Sequence, residues 1–187
     1  MRVSGATYRE AMRWGALFAD LELQLEAAEA REALGDVPDL TRAERAGVGL
    51  GARLRAHEGD VVVTVHGGHV LRGVPTEVGA AWVLLSEGPR EHLVPLEAVA
   101  VVSGLGDVAA PAQGAVGSRL RLGHALRAVA RDRCVVRVLT TAGTLVGRVD
   151  AVGTDHLDLA LVRPDDDRPS GARCAVGWSA MLVLSRG

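Results

Sequence analysis

Apolar residues in this chain recur first at helical and then at strand spacing, and the switch happens twice. From Thr7 to Leu34, Trp14, Leu17, Phe18, Leu21, Leu25 and Ala28 fall on one stripe, with Glu22, Glu26, Glu29 and Glu32 mostly off it. This predicts an amphipathic helical arm, terminated by Gly35 and Pro38. Thr41-Arg42-Ala43-Glu44 matches a capping box and predicts a second helix from Thr41 towards Ala56, with Leu50 and Leu54 inward and weakened by Gly47, Gly49 and Gly51. Val61, Val63 and Val65 then alternate, and His66-Gly67-Gly68-His69 reads as a tight hairpin turn whose glycines take positive φ. Further strands are predicted over Val70–Glu77, Ala81–Ser86, His92–Leu96 and Val99–Val102.

Residues 105–117 are rich in Gly, Ala and Pro and read as a linker. Beyond it the pattern returns. Ser118 is placed to cap a helix running to about Arg131, and Leu122-Gly123-His124-Ala125-Leu126-Arg127-Ala128 echoes Leu50-Gly51-Ala52-Arg53-Leu54-Arg55-Ala56. Cys134, Val136 and Val138 answer Val61, Val63 and Val65. Leu71, Gly73, Val78, Gly79, Val83 and Leu85 recur as Leu145, Gly147, Val152, Gly153, Leu157 and Leu159, each 74 residues later. A strand over His156–Val162 follows, and Ala175–Leu184 answers Leu93–Val102. The chain thus divides into an arm (1–38), a first module (39–104), the linker and a second module (118–187).

The repeat resembles the Sm-like family, which includes the Lsm and Hfq proteins. One helix followed by five short, bent strands, with Gly73 and Gly147 at the bends and a closing Val-x-x-x-Ala segment, is that family's order of elements. The order also resembles uncharacterised actinobacterial proteins, some labelled Fis-family regulators. The resemblance implies a mainly β fold with helices (α+β): two tandem Sm-like five-stranded barrels, each preceded by a helix, plus the N-terminal amphipathic helix. RNA-binding Sm proteins carry an Asp and an Asn six and ten residues beyond the bend glycine. Here those places hold Gly79 and Val83, then Gly153 and Leu157, while the family's Arg-Gly pair falls on Pro95-Leu96 and Gly177-Trp178. The usual base-binding pocket is therefore not implied.

Composition adds little to the pattern except at one place. All 21 cations are Arg, with no Lys, Asn or Ile in the chain, a coding bias that discounts Arg richness as a signal by itself. From Arg119 to Arg137, however, six arginines (Arg119, Arg121, Arg127, Arg131, Arg133, Arg137) face one acid, Asp132, in a chain of net charge -2. With His124 they form a candidate phosphate-contacting patch, or else a solvated helix face. Trp14, Leu17, Phe18, Leu21 and Leu25 need a cover, either the barrels of the same chain or a partner. Trp82 and Trp178 read as core or interface packing.

His66 and His69 lack further ligands, so no metal is expected, and no cofactor motif occurs. Cys134 and Cys174 read as two buried thiols of a cytoplasmic protein, since no run reaches the roughly 18 apolar residues of a membrane span. No nucleophile–base pattern or paired carboxylates appear, so no enzyme is expected. Two functions remain open: a non-enzymatic regulatory protein that touches nucleic acid through the Arg-rich helix, or an assembly scaffold acting through strand edges and the arm, with a homo-oligomer or another protein as partner.

Overall fold

The computed structural model describes residues 47–110, 121–163 and 167–187. The expected arm, with Trp14, Leu17, Phe18, Leu21 and Leu25, lies outside them, as does Arg119. Gly49–Gly187 forms one compact unit. Its order is α1 (Leu50–Ala56), β1 (Val61–Val65), β2 (Val70–Val78), β3 (Trp82–Glu87), β4 (Arg90–Pro95), a 3-10 turn (Leu96–Ala98), β5 (Val99–Ser103), α2 (Leu122–Asp132), β6 (Val136–Thr140), β7 (Gly143–Val152), β8 (His156–Val162), β9 (Pro169–Gly177), a second 3-10 turn (Trp178–Ala180) and β10 (Met181–Arg186).

The strands run antiparallel in one open sheet, ordered β5-β1-β2-β3-β4-β10-β6-β7-β8-β9. This corrects the expectation of two separate five-stranded barrels. The fourth strand of the first repeat pairs with the fifth strand of the second, Leu93 opposite Leu184, so the repeats share a continuous sheet. The physical reason lies in β10: Met181, Leu182, Val183 and Leu184 are all buried, as suits a central strand covered on both faces.

The helices are also shorter than expected. α1 starts at Leu50, after extended backbone at Gly49, because residues 47–49 do not join the helix; glycine is a poor helix former by about 1 kcal/mol. α2 starts at Leu122, with Arg121 in the capping position.

Two details explain why the repeat conserves its own glycines. A Cβ on Gly73 would lie 2.6 Å from the Ser86 carbonyl oxygen, and one on Gly147 would lie 2.4 Å from that of Ala160. These residues let β2 and β7 press against the next strand, where the sheet bends. In the helices, Gly51 sits under Leu96 and Gly123 under Trp178, at 3.3 and 3.1 Å from a built Cβ. Each helix thus rests its glycine on the side chain that opens its repeat's 3-10 turn, while Leu54 and Leu126 fill the core beneath.

Two apolar cores result, and each borrows from the other repeat. Leu122, Leu126, Val136, Val138, Leu157 and Leu159 pack with Trp82 and Leu93 of the first repeat. Val61, Val63, Val65, Val83 and Leu85 pack with Leu182 and Val183 of β10. The hairpin at Gly67 and Gly68 has the expected positive φ, 84° and 81°. Among the described residues no helix is long and apolar enough to cross a membrane.

Candidate functional site

The chemistry of the β4–β10 junction follows from its register. Leu184 faces Leu93, Ser185 faces His92 and Arg186 faces Glu91. His92 is buried, and its Nδ1 shares a 2.8 Å hydrogen bond with Ser185 Oγ, while Glu87 stands 3.4 Å from its Nε2. Arg186 donates to Glu91 and, through its other arm, to Asp132 at the end of α2. Glu91 first, and Asp132 after it, push the Arg186 pKa upward, against partial burial. The guanidinium therefore clips β4, β10 and α2 together, although its half-exposed position limits each pair to about 0–1 kcal/mol.

Beside this junction lies a cleft of about 430 Å³ between the first repeat's sheet and α2. Trp82, Leu84, Leu93, Leu184 and Val129 supply its apolar lining. His124, Arg127 and Arg131 stand on its rim together with Glu77, Glu91 and Asp132. Of the sequence-predicted patch, Arg121, His124, Arg127, Arg131, Arg133 and Arg137 are all exposed. Only the helical members converge on the cleft. Arg133 caps α2 in a left-handed conformation, and Arg137 projects from β6. Asp132 belongs to the same helix, while Glu77 and Glu91 come from β2 and β4, too far along the chain for a local charge count to register them.

Cys134 and Cys174 are free and half-buried. Trp82 is 3% exposed and serves the second core, whereas Trp178 is half-buried over Gly123 with its indole Nε1 buried and unpartnered. His66 sits at the exposed hairpin with Nε2 3.1 Å from the Glu97 carbonyl oxygen. Among the described residues no three His, Cys, Asp or Glu side chains gather as metal ligands would.

Asp155 and His156 form an exposed ion pair. Asp155 Oδ1 lies 2.8 Å from His156 Nδ1 at the turn between β7 and β8, and that hydrogen bond raises the His156 pKa above 6.5 while lowering that of Asp155. A raised histidine value means that the pair's stabilisation is complete below the ordinary histidine pKa and fades as pH rises through the folded-state value. An NMR titration should place the His156 midpoint above 6.5, and Asp155→Asn should bring it down. A midpoint unmoved by that substitution would refute the pairing.

The remaining feature is the pair of strands that end the sheet order among the described residues, β5 and β9. β5 reads Val-Ala-Val-Val-Ser, without charge or proline, and Val101 is 54% exposed. Along β9, Ala172, Arg173 and Ala175 are exposed. An uncharged apolar edge such as β5 is a template for a further strand, whereas β9 carries Pro169 and Arg173. Within the chain β4 and β10 pair with one another, which leaves β5 and β9 at the ends of the sheet order among the described residues. Comparison with known proteins finds no family model, no curated protein and no solved structure that matches this chain.

Proposed function

We propose that the chain is a non-enzymatic assembly module of the cytoplasm, which extends its sheet by pairing the β5 and β9 edges with a partner's strands. The observation that carries this reading is the unprotected β5 edge, five residues without a charge, a proline or a covering strand among the described residues. Natural sheets blunt such edges unless something binds them, and backbone pairing gives affinity while the alternate side chains give specificity. The free thiols of Cys134 and Cys174 accord with a reducing compartment.

The nucleic-acid reading draws on the exposed arginines of α2, but Glu77, Glu91 and Asp132 share their cleft and break the positive field. The two readings separate in solution. Light scattering at micromolar concentration should give a multiple of the 19.5 kDa chain mass, unchanged by Arg127→Glu with Arg131→Glu. A chain that is monomeric by itself, finds no protein partner and binds RNA or DNA with a steep salt dependence would overturn the assembly reading in favour of the other.

A further inference from the structure

We propose that the cleft between α2 and the sheet binds a small molecule with an apolar chain and a single carboxylate, the chain lying along Leu84, Leu93 and Leu184 and the carboxylate meeting Arg127 and Arg131. This site is separate from the β5 and β9 edges and does not depend on the assembly reading.

The floor of the cleft follows from strand register. Glu77 on β2 faces Leu84 on β3, Leu84 faces Leu93 on β4, and Leu93 faces Leu184 on β10, so these side chains form one row across four strands. Neighbouring strands lie about 4.8 Å apart, which makes the leucine part of the row roughly 10 Å long, the reach of a medium-length acyl chain. Trp82, two residues before Leu84 and therefore on the same face of the sheet, borders the row. Ala125, Ala128 and Val129 of α2 line the other side. The volume of about 430 Å³ falls within the range of about 300–1,000 Å³ that small-molecule sites occupy.

Charge then selects the head group. Arg186 is already held by Glu91 and Asp132. Arg127 and Arg131 also line the cleft, one helical turn apart on α2, and among the described residues neither side chain makes a hydrogen bond or ion pair. Two exposed guanidinium groups beside an apolar floor match a carboxylate, which accepts their N–H donors in pairs. The acids of the cleft set the limit on that charge. Glu77, Glu91 and Asp132 oppose any further negative group, so a singly charged carboxylate fits better than a phosphate monoester, which carries about -1.5 to -2 at pH 7. Glu77 ends the row on β2, where it repels a second carboxylate at the far end of the chain.

Calorimetric titration of the full chain with decanoate, kept below its micelle-forming concentration, tests the site. Saturable binding at one site per chain is expected. Arg127→Gln with Arg131→Gln should weaken it at least tenfold, while Arg137→Gln, on β6 and outside the cleft, should leave it unchanged. Decylamine, with the same chain and the opposite charge, should not bind saturably. Decanedioate should bind at least tenfold more weakly than decanoate, and Glu77→Gln should narrow that gap. Since these arginines and Glu77 are exposed, the variants should melt with the parent, which separates lost binding from lost fold. As a second measure that keeps both arginines, Ala128→Trp should fill the cleft from the helix side and abolish binding. No saturable binding of decanoate, binding that decylamine matches, or an affinity unmoved by the arginine pair or by Ala128→Trp would overturn the site. Equal affinities for decanoate and decanedioate would overturn the placement of the chain's end at Glu77.

Discussion

Replacing Trp82 by alanine is expected to destabilise both repeats at once, by about 3–5 kcal/mol. Trp82 belongs to β3 of the first repeat, is 3% exposed, and lies in the core formed by Leu122, Leu126, Leu157 and Leu159 of the second. Its removal opens a cavity at the place where the repeats are joined. Because β10 in turn gives Leu182 and Val183 to the first core, neither repeat keeps a complete interior without the other. Thermal unfolding of the parent should therefore be a single transition, with equal calorimetric and van't Hoff enthalpies, and Trp82→Ala should move that one transition down. Two transitions, with only the first-repeat one shifted, would show that the cores are independent.

The second large effect concerns the bends. In Gly147→Ala the new methyl would stand 2.4 Å from the Ala160 carbonyl oxygen and 2.9 Å from Leu159 Cγ. Neither backbone nor a fully buried leucine yields easily, so the cost expected for overpacking is about 1–3 kcal/mol or more. Gly73→Ala meets the Ser86 carbonyl oxygen at 2.6 Å and should behave alike. Gly177→Ala is the control, since nothing lies within 4 Å of its Cβ and its φ is -65°. Denaturant midpoints should fall for the first two variants and hold for the third; equal midpoints in all three would mean that the bends do not require glycine.

Much of the local structure was legible in the chain. Val61–Val65 and His156–Val162 are strands with the boundaries that alternation predicts, and the hairpin glycines take the expected φ. The fourth strand was misplaced: it starts at Arg90, and Leu96 opens a 3-10 turn instead of ending the strand. The spacing of six matched positions identified the repeat, but the reason for Gly51 and Gly123 became visible only when Leu96 and Trp178 were seen resting on them. Charge counting along the chain finds the arginines of α2 and Asp132 but not Glu77 and Glu91, because these come from strands of the other repeat.

What this sequence determined by itself is the kind and order of the elements, since period-two apolarity, turn glycines and a recurring phrase act over a few residues. Which strands meet was decided by the tertiary structure. Two modules with this pattern could each stand alone, yet Glu91, His92 and Leu93 pair with Arg186, Ser185 and Leu184 across more than ninety positions of chain. A strand's backbone donors and acceptors carry no sequence label, so period and propensity leave its neighbour open. Burial of β10 on both faces selected that neighbour, and by closing the middle of the sheet it left β5 and β9 as the two ends.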